Sequence, residues 1–174
     1  MAGFDPSRVA PSDAAVTMAS LPRRFGSLFA TPMAGPDLDD EPDPDDLAHR
    51  IGPDGRSAAD HLALVVRTLG LLERALGDVV VRDRPVLHPA VLDEAARTWE
   101  AGDQPVGDLL HELDGAAEDM AARIRRTPAG DWDRSATIAG GGAVAALDLA
   151  REAVRTAVDH LAAADQVLAA VRGR

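Results

Sequence analysis

The chain of 174 residues contains no cysteine, no lysine and no tyrosine, and aromatic residues make up only 3% of it. The absence of cysteine excludes disulfide bonds, thiolate metal ligands and a protein thiol nucleophile. The scarcity of aromatic residues leaves Leu, Val and Ala to form the core, which suits closely packed helices better than a sheet. All 18 basic residues are arginine, and nothing in their spacing indicates an arginine-specific binding role.

The charge is strongly acidic, with 29 acidic residues against 18 basic ones and a net charge of −11. A protein that binds a nucleic acid duplex needs a basic stripe to displace counterions from phosphates, and the sequence has none. No apolar run is long enough to span a bilayer, and residues 1–10 lack the pattern of a signal peptide. The sequence therefore predicts a cytoplasmic protein that binds neither nucleic acid nor a membrane.

Apolar residues at intervals of three or four predict four amphipathic helices. The first begins at a cap on Ser12 or Asp13 and ends near Ala30. Pro22 interrupts this pattern, and it either kinks the helix or lies in the first turn of a helix that Ser20 caps. Residues 1–11 are predicted to be irregular, and 35–46 to form an acidic, proline-rich and solvated loop followed by a short helical turn at 46–50.

The second helix begins after Ser57, with Asp60 placed three residues on as in a capping box, and ends at Gly77. A short helix over Pro89–Trp99 and a longer one from Val106 follow, and the fourth helix spans 143–172. The β-branched run at 79–81 is too short to predict a sheet. This pattern predicts an all-α fold, a four-helix bundle with long inter-helix connections, built as one domain over 1–174.

Three stretches of the chain resemble one family. They are GRSAADHLALV at 55–65, DWDR at 131–134, and LDLAREAV from 147 running on to Asp159, His160 and Leu161. Together they resemble the DinB-like superfamily of four-helix metalloenzymes, which includes mycothiol- and bacillithiol-linked transferases and mycothiol-dependent maleylpyruvate isomerases. The resemblance covers the chain from about Leu21 to Val171. It implies the four-helix fold and a chemistry in which a divalent metal (Ni, Zn or Fe) activates an external low-molecular-weight thiol or a water.

The chain departs from that family at the metal-ligand positions. The family carries a Trp-Ser pair at the start of the second helix, a ligand histidine seven residues after the serine, and a His-x-x-x-His pair on the fourth helix. Here Arg56 replaces the tryptophan, Leu64 stands at the first ligand position and Thr156 at the second. Only His160 matches a ligand, and one imidazole does not hold a divalent ion at useful affinity.

A rearranged metal site is the alternative that the sequence leaves open. His61 lies one helical turn before Leu64, so it and His160 are the candidate ligands if a metal binds. Asp60 or Asp159 would complete a two-histidine, one-carboxylate site. The geometry is unfavourable, because each carboxylate is adjacent to its histidine and points about 100° away from it on a helix. Without a metal, His160 is a partly buried structural residue that is hydrogen-bonded to a neighbour.

Two hypotheses follow. In the first, the protein has lost the three-histidine site, has no cofactor, and binds a small ligand or acts as a scaffold, as a monomer or a homodimer. Its pocket would be lined by Leu64, Thr68, Thr156 and His160, while Trp132 either lines a ligand pocket or plugs one end of the bundle. In the second, it is a metal-dependent thiol S-transferase or isomerase whose rearranged site uses His61 and His160. We favour the first, because a catalytic metal normally needs three protein ligands and an open position.

Overall fold

The structure is a computed structural model and describes residues 5–30, 43–97 and 99–173. These residues are mostly helical and include a small three-stranded sheet. The helices are α1 (Pro11–Phe29), α2 (Pro44–Ala48), α3 (Ala58–Val81), α4 (Val106–Arg126) and α5 (Ala146–Val171), and the strands are β1 (Val86–Leu87), β2 (Ser135–Ile138) and β3 (Ala143–Ala145).

Helix α1 is continuous from Pro11 to Phe29, so the alternative start capped by Ser20 is wrong, and Pro22 lies inside the helix. The helix begins slightly before the predicted caps, and the residue at its N-cap, Ala10, makes no side-chain hydrogen bond. Within the predicted irregular region 1–11, the segment Pro6–Arg8 forms a 3-10 turn, and residues 1–4 lie outside the described residues.

Most of the predicted acidic loop, 35–42, also lies outside the described residues. The short helical turn predicted at 46–50 is present as helix α2, which begins and ends two residues earlier. The Asp43 side chain accepts a hydrogen bond from the Asp45 backbone N–H and so caps α2.

Helix α3 has the predicted capping box but ends later than predicted. The Ser57 hydroxyl accepts from the Asp60 backbone N–H, and the Asp60 carboxylate accepts from the Ser57 backbone N–H. Gly77 does not end the helix, which continues to Val81. A side-chain carbon at Gly77 would lie 3.2 Å from Cζ of Arg123 on α4. The glycine therefore serves close helix packing instead of termination.

The directions of the long helices do not simply alternate along the chain. Helices α3 and α4 are parallel, because Arg67 pairs with Glu112 near the start of α4 and Glu73 with Arg123 near its end. Helix α5 is antiparallel to α3, since Gly52, just before α3, approaches Val167 near the end of α5. Two parallel consecutive helices need a connection that returns along the molecule. Residues 82–105, here called the crossover segment, make that return.

The crossover segment contains two 3-10 turns, Pro89–Val91 and Glu94–Ala96, and not the single helix predicted over Pro89–Trp99. His88 and Asp93 each cap the start of one turn, because their side chains accept hydrogen bonds from the backbone N–H groups of Ala90 and Ala95. Two backbone carbonyls of the first turn accept bonds from the Arg97 side chain. A regular helix would direct these carbonyls along its own axis.

The sheet corrects the all-α prediction. Strand β1 pairs in parallel with β2, and β2 pairs antiparallel with β3. Three glycines between β2 and β3, Gly140, Gly141 and Gly142, have φ values of 94°, 116° and 93°, a region that favours glycine. The strands have two to four residues, too few to produce a readable alternation. Strand β3 also takes the first residues predicted for the last helix, so α5 begins at Ala146 instead of Ala143.

One contiguous cluster of buried apolar side chains runs through α1, α3, α4 and α5 and includes residues from the sheet. The sheet contributes Ala136, Ile138 and Val144, so it closes one part of the core. Among the described residues, no helix is both long and apolar enough to cross a membrane.

Candidate functional site

The residues that the sequence singled out lie on α3 and α5, two helices that pack against each other along a seam. Leu64 and Thr68 lie on α3, and Thr156 and His160 lie on α5, and all four are buried. Leu64, Thr68 and Thr156 are at most 1% exposed, so they would have to separate before a ligand could reach them. Whether these residues form a ligand pocket stays a prediction.

His61 and His160 meet across this seam. Their Nδ1 atoms are 2.9 Å apart, and the ring centroids are separated by 5.2 Å. Only 3% of His61 and 5% of His160 is exposed. The rearranged metal site required that His61 and His160 converge, and the two rings are in contact. Whether they hold a metal stays a prediction.

The carboxylates that face the two rings are not the predicted ones. Asp60 accepts hydrogen bonds from the backbone N–H groups of Ser57 and Ala101, and Asp159 accepts from Arg155. Asp54, in the turn before α3, instead lies 2.8 Å from His61 Nε2, and Glu94, in the crossover segment, lies 3.7 Å from His160 Nε2. Both of these contacts are on the ring side away from the Nδ1 pair.

Arg97 fills the part of the seam beside Thr156. Its guanidinium is fully buried and donates from Nη1 to the Thr156 hydroxyl at 3.1 Å. Its Nη2 also donates to Glu152 at 2.8 Å and to the Val91 backbone carbonyl, and its Nε donates to the Ala90 backbone carbonyl. The second ligand position of the family therefore contacts a permanent cation. A positive charge at hydrogen-bond distance disfavours a divalent ion at that position.

The electrostatics of the seam are set by burial and by these contacts. Burial, and then the charge of His61, lowers the pKa of His160 from 6.5 to about 4. Burial raises the pKa of Glu152, but hydrogen bonds from Arg155 and Arg97 lower it more, so that the pKa lies below its usual value. The same opposition applies to Asp54, where the Arg56 backbone N–H and the His61 side chain hold the pKa down. His160 is therefore neutral at neutral pH, while the carboxylates are ionised.

The donor set of a metal site is incomplete. Over residues 5–30, 43–97 and 99–173, no group of three or more His, Asp or Glu side chains is arranged to hold a metal ion. The two Nδ1 atoms of His61 and His160 are the nearest approach to such a site. Among the described residues, no third ligand lies on the Nδ1 side of the two rings. Asp54 and Glu94 face the Nε2 atoms, on the opposite side of each ring.

Trp132 lies apart from this seam. It lines a surface cleft of about 310 Å³ where α1 begins and α4 ends, together with Pro11, Ile124 and Arg125. The lining of this cleft includes none of the four seam residues. The half-buried ring also packs against the core, so both roles considered for it are compatible with its position.

The sequence did not identify Asp54, Glu94 or Arg97 as site residues. Arg97 is the largest of the almost fully buried side chains, and a lone arginine between Ala96 and Thr98 gives no sign of that. Asp54 lies seven residues before His61. It belongs to the loop before α3 and not to the helix, so helical spacing does not link the two residues. The signal was absent because these three residues lie in a turn and in the crossover segment, where spacing along the chain does not show which residues meet.

Comparisons with protein-family models, with curated proteins and with solved structures find no match to this chain.

Proposed function

We propose that this protein is a metal-free relative of the DinB-like four-helix proteins, and that it acts as a non-catalytic small-ligand-binding or scaffolding protein. The observation that carries the proposal is the hydrogen bond from the buried Arg97 guanidinium to Thr156. In the resemblance, Thr156 stands at a metal-ligand position. Here a side chain with a permanent positive charge contacts that position, which is unfavourable for a divalent cation.

The other two ligand positions support the same proposal. Leu64 offers no donor atom and is fully buried. His160 directs Nδ1 to His61 at 2.9 Å, a distance at which one proton joins the two nitrogen atoms. The donors that remain are thus satisfied by one another and by Asp54, and not held open for an ion.

A binding role is supported by Thr68. Its hydroxyl is buried and, in the described part of the chain, has no hydrogen-bond partner. An unpaired buried hydroxyl is costly and is relieved by a polar atom of a ligand or a water. Leu64, Thr68 and Thr156 therefore remain our proposed pocket. A homodimer and a cytoplasmic location remain predictions from the sequence.

Elemental analysis of protein purified without a polyhistidine tag tests the proposal. We expect far less than one equivalent of nickel, zinc or iron per chain, and unfolding that is insensitive to chelator. Stoichiometric metal that disappears in a His160→Ala variant would instead support the second hypothesis, a metal-dependent thiol S-transferase or isomerase that uses His61 and His160. The observation that favours that alternative is that His61 and His160, from two different helices, lie in contact with each other.

A further inference from the structure

A groove lies between α1 and α5, and we call it the α1–α5 groove. Its volume is about 620 Å³, twice the 310 Å³ of the cleft beside Trp132. Pockets for small ligands span about 300–1,000 Å³. The lining of the groove includes none of the four seam residues. The groove is therefore a separate site, formed on the side of α5 that faces α1.

The base of the α1–α5 groove is aliphatic. Leu28 on α1 and Val158 and Leu161 on α5 are half-buried, because each packs against the core and also lines the groove. Ala162 lines it as well and is exposed. The described lining residues include no aromatic ring that could stack on a planar ligand. The groove therefore favours an alkyl chain, which gains free energy from the apolar surface that it removes from water.

The charged residues of the groove are two arginines and one acid. Arg23 and Arg24 are exposed, and the guanidinium of neither forms an ion pair or a hydrogen bond within residues 5–30, 43–97 and 99–173. Asp165 also lines the groove and pairs with neither arginine. Two positive charges and one negative charge give the lining a formal charge of +1, in a chain whose net charge is −11. This local excess of positive charge is complementary to an anion.

We propose that the α1–α5 groove binds an aliphatic carboxylate, with the alkyl chain on Leu28, Val158 and Leu161 and the carboxylate at Arg23 and Arg24. A guanidinium can donate two parallel hydrogen bonds to a carboxylate, a charge-assisted pairing that is stronger than a hydrogen bond between neutral groups. A ligand with an alkyl chain and an anionic end makes both contacts, whereas an alcohol or a short carboxylate makes only one. The inference goes beyond the proposed function and does not depend on whether the seam binds a metal.

A second copy of the chain suits the groove less well. In a twofold dimer the same surface of the two protomers meets. One concave groove would then face another, and both would remain unfilled. A small convex ligand is therefore the better occupant. The lining from Val158 to Asp165 covers about 10 Å of α5, so octanoate is a probe of suitable length.

Isothermal titration calorimetry of the full chain with octanoate at pH 7.5 and low salt tests the proposal. We expect one site per chain with a Kd below about 1 mM. Burial of the alkyl chain should give a negative heat-capacity change, and added salt should weaken binding. Octanol has the same chain without the charge, and it should bind at least about tenfold more weakly.

Charge variants test the role of the two arginines. A variant that combines Arg23→Gln and Arg24→Gln should raise the Kd for octanoate by at least about tenfold. Arg74→Gln is the matched control, because Arg74 is exposed on α3 outside the groove, and it should leave the Kd unchanged. Asp165→Asn removes a negative charge from the lining and should lower the Kd by about threefold.

A variant that fills the groove tests the location of the site. Ala162→Leu adds a bulky side chain at an exposed helical position, so it should abolish octanoate binding and leave the fold intact. Ala170→Leu makes the same change at an exposed position of α5 outside the groove, and it should bind octanoate like the wild type. Circular dichroism checks that both variants fold.

The proposal is contradicted if octanoate does not bind, if octanol binds equally well, or if Ala162→Leu binds octanoate like Ala170→Leu. A dimer in sedimentation equilibrium that Ala162→Leu dissociates would assign the groove to a second copy and overturn the proposal. Octanoate binding that appears only when the acidic residues of 37–41 are made neutral would assign it to this chain's own acidic segment, with the same consequence. Metal content separates this failure from that of the proposed function, since stoichiometric metal in the seam contradicts only the latter.

Discussion

Arg97 carries a full positive charge into a part of the protein with almost no solvent, where an unpaired ion is costly. Its cost is offset by one carboxylate, one hydroxyl and two backbone carbonyls, which occupy the donors of the guanidinium fork. No other side chain type offers this combination, because lysine lacks the planar fork. The residue thus joins the crossover segment to α5 at the position that the resemblance assigns to a metal ligand.

Replacement of Arg97 by methionine should lower the free energy of unfolding by about 3 kcal/mol. The change leaves the carbonyls of Ala90 and Val91 without their donors, while Glu152 keeps Arg155 as a partner. Urea denaturation followed by circular dichroism measures the effect. The matched control is Arg125→Met, which removes an exposed ion pair with Glu118 and should cost less than about 1 kcal/mol. Equal losses of unfolding free energy in the two variants would show that the burial of Arg97 does not increase its contribution to stability.

Two glycines in different elements show that the surroundings of a glycine determine how its replacement changes stability. A side-chain carbon at Gly52 would lie 2.6 Å from Cγ2 of Val167, so the turn before α3 approaches α5 more closely than any larger residue allows. Gly26, inside α1, has no atom within 4 Å of the same position among the described residues. Only the first glycine is therefore required by packing.

We expect Gly52→Ala to destabilise the protein by about 1–3 kcal/mol, because Val167 or the turn must move to make room. Gly26→Ala should instead stabilise it by up to about 1 kcal/mol, since alanine restricts the unfolded chain and suits a helix interior. Denaturant midpoints of the two variants, measured in parallel with the wild type, check the opposite signs. If Gly52→Ala stabilised the protein, the close approach of the turn to Val167 would be contradicted.

The elements differ in how well the sequence predicted them. The long helices α1, α3, α4 and α5 follow from apolar periodicity, and the cap of α3 at Ser57 follows from its residue type. The end of α3 was wrong because Gly77 serves packing against Arg123. The sheet was missed because its strands have only two to four residues, and because β1 pairs with a strand about 50 residues away.

The site was predicted only in part, for a similar reason. Helical spacing and the resemblance directed attention to His61, Thr156 and His160, which the structure does bring to one seam. Their actual partners come from a turn and from the crossover segment, where spacing along the chain carries no geometric information. Asp60, one of the two candidate carboxylates for the rearranged site, instead caps α3 and accepts a hydrogen bond from the Ala101 backbone N–H.

For the whole molecule, the crossover segment determines what the seam can do. Because α3 and α4 are parallel, the connection between them must run back along the protein, and it passes over α5 at Glu152, Thr156 and His160. Its side chains close the seam that the family resemblance would reserve for a metal. A hydrogen-bonded network of Arg97, Thr156 and Glu152 therefore fills this part of the seam.

The most direct test of this account is the shift in unfolding free energy on addition of zinc or nickel to the untagged protein. We predict no shift for the wild type. A variant that combines Leu64→His, Thr156→His and Arg97→Met should gain about 2.7 kcal/mol at a metal concentration near 100 times Kd, relative to the same variant without metal. Failure of this variant to respond would contradict the family resemblance. Stabilisation of the wild type by metal, abolished by His160→Ala, would contradict the central claim that the seam is closed without an ion.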